Sequence, residues 1–372
     1  MKVFFSDLHL SDGKERDDFQ YHKDFEELVR NLSEEFRNIE MILLGDIFDL
    51  IRTHKYCECE VASLTEERIQ EIKRKVMADI LENHGSFFET LRHFIEQPGH
   101  TFRYIVGNHD FGTSLDNTLP GMIRDNFGLA FTPEHYYQDK RLGIWAEHGH
   151  RYDTINKTYD HDGTSIPYCL GDRIVVEIVN RFFEKVRENQ GELQIDPGII
   201  NDLDNVRPQS AIGNWLDSID EEGRLRKLYD DTVIRFMFSE LGEVASLAMD
   251  LFTGKYQPDL LKAAANLGKN GIGKYIIFGH THEALDKKLA KGARHLNAGT
   301  WRTFIEPKGR PSTRMRTVPD YVKDGIQFYK QESYYYYKFK TTMSLSYILF
   351  YEDGEGQVGP LLVQEEKQVP NG

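Results

Sequence analysis

Side chains able to hold metal ions recur along this chain in short blocks. His280 and His282 stand one residue apart in Phe278-Gly279-His280-Thr281-His282. Asp7-Leu8-His9 pairs an oxygen donor with a nitrogen donor. Gly45-Asp46-Ile47-Phe48-Asp49, Gly107-Asn108-His109-Asp110 and Glu147-His148-Gly149-His150 add carboxylate, amide and imidazole groups. Any one block is weak evidence, because an H-x-H pair is more often an ordinary surface loop. All of them share one grammar, however: an apolar run, a glycine or serine, then ligand-type residues. Oxygen and nitrogen donors without thiolate suit Mn, Fe, Zn, Co or Ni better than Ca. Phosphoester hydrolysis near neutral pH needs a nucleophile, charge neutralisation at phosphorus and help for the leaving group. A pair of ions about 3.5–4 Å apart supplies the first two, and holding them that close needs a bridging carboxylate.

Such residues must be positioned by rigid elements. Lys2 to Ser6, Met41 to Leu44, Phe102 to Val106, Leu142 to Ala146 and Tyr275 to Phe278 are short apolar runs of buried-strand type. Phe25, Leu28, Val29, Leu32 and Phe36 recur at helical spacing between the first two runs. Strand, crossover helix and strand make a βαβ unit and a parallel pairing. The blocks then fall at strand ends, where open α/β sheets bind ligands. Thr65 to Leu81 and Phe87 to Ile95 read as further helices. From Thr154 to Gly273 the pattern becomes mainly helical. One apolar stripe there runs through Ile174, Val175, Ile178, Val179, Phe182, Phe183 and Val186; another runs through Val233, Met237, Leu241, Val244, Ala248 and Leu251. Ordinary core packing explains both stripes more readily than an apolar channel. Tyr334 to Tyr337 and Leu345 to Tyr351 are β-prone and read as late antiparallel strands.

The blocks, in this order, resemble the calcineurin-like metallophosphoesterase superfamily over residues 1–153 and 274–301. The strand-ending blocks and the long insertion between His150 and His280 are loosely similar to the UDP-2,3-diacylglucosamine hydrolase branch. The resemblance implies an α/β (α+β) fold, a β-sandwich flanked by helices. It does not reach the insertion or the tail; the residue pattern itself divides the chain into a discontinuous core (1–153 and 274–352), an inserted, mainly helical cap (154–273) and a flexible tail (353–372). The resemblance implies that Asp7, His9 and His282 bind one divalent ion, that Asn108, His148 and His280 bind a second, and that Asp46 bridges them. Manganese is expected first, with Fe, Zn, Co or Ni as alternatives. His109 is implied as general acid at the leaving group and Asp49 as the residue that orients it. The fourth block has two histidines where one ligand is needed; His148 lies nearest the strand end and is preferred. His150, Arg151 and Asp153 are left as supporting or substrate-facing residues, with Arg151 a candidate phosphate contact.

The expected activity is hydrolysis of a phosphoester by a metal-bound hydroxide, on a small-molecule or lipid-linked phosphodiester or pyrophosphate. A protein or nucleotide phosphomonoesterase, a nuclease and an inactive binding scaffold are the alternatives. The 372 residues carry a net charge of −14, which disfavours a nucleic-acid partner. No run approaches the ~18 apolar residues of a membrane span, and early charges exclude a secretory signal from the first residues. The three cysteines cannot make a full disulfide framework, so a reduced, cytoplasmic setting is expected, with peripheral membrane attachment allowed. Cys57 and Cys59 lack the second thiol pair that a zinc site would need. Homo-oligomerisation is left open.

Overall fold

Each of the five apolar runs forms a strand in the computed structural model, which describes all residues except 14–18, 60–63, 161, 196–197, 199–201, 204, 240–242, 254, 257, 324–325, 353–357 and 370–372. Strands β1 (Lys2–Phe5), β2 (Glu40–Leu44) and β3 (Thr101–Ile105) are parallel neighbours. Helix α1 (His22–Glu35) crosses from β1 to β2 and buries Phe25, Val29 and Leu32, three or four residues apart. Helices α2 (Glu66–Asn83) and α3 (Gly85–Glu96) make the crossing from β2 to β3. The Thr65 side chain caps α2 by accepting from Arg68 N, the bond that an N-terminal threonine can supply. Helices α4 (Gly112–Leu115) and α5 (Thr118–Phe127) lead to β4 (Pro133–Glu134), which is parallel to β3.

A second sheet has the order β5-β6-β7-β9-β8. Its centre, β6 (Ile144–Ala146), β7 (Tyr275–Phe278) and β9 (Arg294–Asn297), is parallel. Its edges, β5 (Tyr137–Asp139) and β8 (Leu285–Lys288), are antiparallel to it. The first sheet is extended on the other side of β1 by β10 (Trp301–Lys323), β11 (Ile326–Glu352) and β12 (Val358–Val369). Alternate residues of the two sheets meet in one buried cluster. Phe4, Ile42, Leu44, Ile105, Ile348 and Phe350 come from the first sheet; Tyr137, Ile144, Ala146, Ile277, Leu296 and Ala298 come from the second. The fold is therefore the expected α+β sandwich with helices outside it.

The chain divides into two compact units. The first is 1–173, 258–302 and 344–366; the second is 174–257, 303–343 and 367–372. This boundary differs from the expected 154–273. Helix α12 (Leu260–Lys269) belongs with the sandwich, because Leu260, Ala263 and Ala264 pack on Ile276 and Phe278 of β7. The second unit is also less purely helical than expected, since it takes in residues 303–343 of the β10–β11 pair. In the second unit, α7 (Arg181–Glu188), α9 (Ile212–Ile219) and α10 (Arg224–Ser239) bury Phe182, Phe183, Val186, Trp215, Leu216 and Tyr229. Phe182 meets Tyr229 edge to face at 5.4 Å. The first apolar stripe is thus core packing. Leu241 of the second stripe lies outside the described residues. Of the tail expected to be flexible, residues 353–357 and 370–372 lie outside the described residues, and Val358–Val369 is a strand.

Candidate metal centre

The five blocks leave the C-terminal ends of β1, β2, β3, β6 and β7. Because these strands are parallel within each sheet, their carboxyl ends gather at one end of the sandwich. Backbone bonds tie the blocks together there. Asp7 N donates to Gly45 O (3.0 Å), His9 N to Asp46 O (3.0 Å) and Gly279 N to His148 O (3.0 Å). Two glycines permit this approach. A Cβ on Gly107 would lie 2.1 Å from Asp46 Oδ1, and one on Gly279 would lie 1.9 Å from Ser6 Oγ.

Backbone strain concentrates in the same place. Asp7, His9, Asp46, His280 and His282 all have φ between 50° and 72°, in the left-handed region. Such a conformation costs a non-glycine residue about 1 kcal/mol or more, and it persists where surrounding structure enforces it. The other described non-glycine residues of this kind, Asn38, Gln194 and Lys291, lie outside the ligand blocks.

Three groups of donor atoms converge: Asp7, His9 and His282; His9, Asp49 and His109; and Asp46, His148 and His280. His9 Nε2 is 3.1 Å from His282 Nε2, and His282 Nε2 is 3.2 Å from Asp7 Oδ1. His148 Nε2 is 3.1 Å from Asp46 Oδ2 and 4.0 Å from Asp7 Oδ1. Asp46 Oδ2 is also 4.0 Å from His9 Nε2, so it reaches toward both histidine sets. Asn108 is buried beside them.

Asp7 Oδ1, Asn108 Oδ1 and His148 Nε2 are buried and make no hydrogen bond of acceptable geometry. Buried polar atoms ordinarily find partners, because leaving one unpaired costs about 1–3 kcal/mol. Divalent cations among these atoms would satisfy them, and the residues present fit that group. The remaining atoms of the same side chains are anchored. His148 Nδ1 meets Leu44 O at 3.0 Å, His280 N donates to Asp7 Oδ2 at 3.0 Å, and Thr300 Oγ1 donates to Asp7 O at 2.6 Å.

The charges are strongly coupled. Burial opposes ionisation of Asp7, but the His148 and His282 imidazoles hold its carboxyl well below the usual range. Asp49 is likewise held well below the usual range, by His109 and His9 against burial. Burial disfavours charge on His148, yet Asp46 and Asp7 lift it to about 9. His109 is lifted to about 10 by Asp49 and Asp46, again against burial. His282, where burial outweighs Asp7, falls to about 3. A site that draws imidazolium charge toward three carboxylates is one where dications can replace those protons.

His109 Nδ1 lies 3.1 Å from Asp49 Oδ1, close enough for an ion pair although the angle is not that of a hydrogen bond. Asp49 also faces His9 Nδ1 at 3.3 Å and accepts from Ile51 N and Arg52 N at 3.1 and 2.9 Å. His109 N donates to Asp46 Oδ1 at 2.9 Å.

Two expected substrate contacts are engaged otherwise. His150 is buried and bonded through Nε2 to Thr158 Oγ1 at 2.9 Å, outside the donor groups. Arg151 is about half-exposed and lies 3.5 Å from Glu147 Oε2. Both follow from the tight turn at Gly149, after which the chain enters a short 3-10 turn, His150–Tyr152. Three further residues matter. Asp153 Oδ2 accepts from His280 Nε2 at 2.7 Å, leaving Nδ1 as the atom His280 can offer an ion. Buried Asp110 accepts from Gly107 N (2.6 Å) and Ile47 N (2.9 Å), clamping two blocks together. Burial first, then the charges of His9 and Arg302, disfavour protonation of His282. Asp110 lies in a ligand block and Asp153 just past one, where the sequence already marks it as a supporting residue; nothing in the local spacing flags Arg302.

No protein-family model matches this chain, and no curated protein does. Among solved structures it is similar to a dimetal phosphatase from Danio rerio, at 12% identity and a TM-score of 0.31, over 80% of this chain and 87% of that one. A likeness of that degree carries no argument, and the functional reading rests on the site.

Proposed function

We propose that this chain is a metal-dependent phosphoester hydrolase. The observation behind the reading is the convergence of Asp7, His9 and His282 and of Asp46, His148 and His280, with Asp7 Oδ1, Asn108 Oδ1 and His148 Nε2 buried and without a hydrogen bond. Asp7, His9 and His282 would hold one ion, Asn108, His148 and His280 a second, and Asp46 would be shared. When bound, the two ions would neutralise phosphoryl charge and acidify water to a nucleophile. Manganese is the first choice for this mixed oxygen and nitrogen set, with Fe, Zn, Co and Ni as competitors.

The chain's own groups have separate tasks. Asp7 and Asp46 supply the negative charge that draws cations in. Asp153 fixes the ring of His280, and the Leu44 carbonyl fixes that of His148. His109 presents an imidazole whose other nitrogen faces Asp49, so it can hand a proton or hydrogen bond to the departing oxygen. Asp49 holds that ring in place.

The substrate we infer is a small-molecule or lipid-linked phosphodiester or pyrophosphate. A net charge of −14 supports this over a polyanionic nucleic acid. The substrate of the UDP-2,3-diacylglucosamine hydrolase branch is one member of that class. Protein reconstituted with manganese should hydrolyse bis(p-nitrophenyl) phosphate and nucleotide diphosphate conjugates faster than p-nitrophenyl phosphate. The opposite order would favour a phosphomonoesterase. Hydrolysis that chelation leaves unchanged would sink the metal reading itself.

A further inference from the structure

Away from the metal centre, a serine and two histidines form a hydrogen-bonded relay that the proposed hydrolysis does not use. Ser86 Oγ lies 3.2 Å from His22 Nδ1, at the start of α1. His22 Nε2 lies 3.0 Å from His84 Nδ1. His84 Nε2 lies 3.0 Å from the carbonyl oxygen of Ser11. That last contact sets the direction of the relay. A carbonyl can only accept, so His84 Nε2 carries the proton and His84 Nδ1 has the lone pair. His22 Nε2 must then donate to it, and His22 Nδ1 turns its lone pair toward the Ser86 hydroxyl. This is the polarity of a nucleophile, a base and a residue that orients the base.

The surroundings suit the same role. His84 is buried, His22 is partly buried and Ser86 is exposed. Burial lowers the His22 pKa, and burial with the neighbouring His22 ring lowers His84 to about 4, so both rings are neutral bases near neutral pH. Phe19 packs edge-on against His22 at 4.8 Å and restricts its ring. Ser86 also lines a groove of about 270 Å³ between α1 and α3, with Val29 and Phe94 as apolar walls and Glu26, Arg30, Glu89 and His93 among the polar and charged groups around them. That volume is near the small end of ligand pockets, about 300 Å³.

We propose that Ser86 is a nucleophile, with His22 as its general base and His84 holding His22 in register, acting on carboxylic esters with a short apolar acyl group. Ser86 Oγ bonds to the acyl carbon as its proton passes to His22 Nδ1. The bond from that carbon to the leaving oxygen breaks, and His22 returns the proton to the departing alcohol. The acyl group stays on Ser86 until a water oxygen bonds to the acyl carbon, giving one proton to His22 Nδ1; the bond from that carbon to Ser86 Oγ then breaks as His22 returns the proton to Oγ, and the acyl group leaves as a carboxylic acid.

The test uses the full chain, with and without EDTA, and p-nitrophenyl butyrate. The expected result is a burst of p-nitrophenol and a butyryl group mapped by mass spectrometry to Ser86, both insensitive to EDTA. Ser86→Ala should abolish the burst and leave manganese-dependent phosphoester hydrolysis unchanged. His22→Gln should slow acylation by about 10²–10⁴-fold. Rescue of the His22→Ala variant by added imidazole would show that the ring acts as a base and not only as a hydrogen-bonding post. Acylation of Ser86 no faster than that of other exposed serines in the same digest overturns the proposal, and so does a burst that survives Ser86→Ala. Either result would leave the relay as a brace between α1 and α3.

Discussion

Asp46 faces both histidine sets, through Oδ2 at 3.1 Å from His148 and 4.0 Å from His9. Asp46→Asn should therefore remove most bound metal along with activity, as measured by elemental analysis after manganese reconstitution; an unchanged metal content would mean that Asp46 is not shared. His109 should behave differently, because its ring is held by Asp49 and it follows Asn108, a candidate ligand whose Oδ1 is buried and makes no hydrogen bond. His109→Ala should keep its metal and lose about 10²–10⁴ in turnover, more for poor leaving groups than for good ones. Asp153→Asn should weaken metal affinity by about 10–100-fold with the fold intact, since it grips His280 without joining the donor groups. An affinity equal to that of the unmodified chain would assign Asp153 to packing alone. The candidate ligands were legible because each sits in a short block just past an apolar run, with a glycine or serine in or before the block. Asp153 was legible as a supporting or substrate-facing residue, but its bond to His280 was not, because that partner lies 127 residues away and no spacing rule joins them.

At the scale of elements, the site depends on short parallel strands ending together. Those strands were legible as apolar runs bounded by turns. The long β10 was not, because Pro307, Gly309, Pro311 and Pro319 read as strand breakers. Proximity to the strand end favoured His148 over His150 in the sequence, but the placement of His150 within a 3-10 turn was hidden. The strands are tied at their other end by Lys2, which pairs with Glu40 across β1 and β2 and lies 3.2 Å from Asp139 of β5. Tyr137 OH donates to Glu40 Oε2 at 2.8 Å, linking the two sheets. Burial would raise the Glu40 pKa, but Lys2 and Tyr137 lower it below 4.5. A carboxyl depressed in the folded state contributes stability above its unfolded pKa and loses it as pH falls through the folded value. Glu40→Gln should thus cost about 1–2 kcal/mol in urea unfolding at pH 7. The gap from the parent should close as pH drops below 4.5; a gap independent of pH would contradict the ionic account.

At the scale of the whole molecule, the sandwich and its ligand blocks were legible, but the boundary of the second unit was not. Helical periodicity continues from Ile174 into α12, and only packing shows that α12 belongs to the sandwich. All seven candidate ligands lie within 1–173 and 258–302, so metal binding should survive replacement of 174–257 by a Gly/Ser linker in a chain that still folds. We expect that variant to keep hydrolysis of a small activated diester and to lose discrimination among larger substrates; an unchanged substrate profile would remove the second unit from substrate choice. The central claim is that the convergent blocks hold two divalent ions. The most direct test is elemental analysis of the purified chain after manganese reconstitution and removal of free metal. About two ions per chain are expected, lost to chelator together with phosphoester hydrolysis and regained with it. Well under one ion per chain, or hydrolysis that persists without metal, would contradict it.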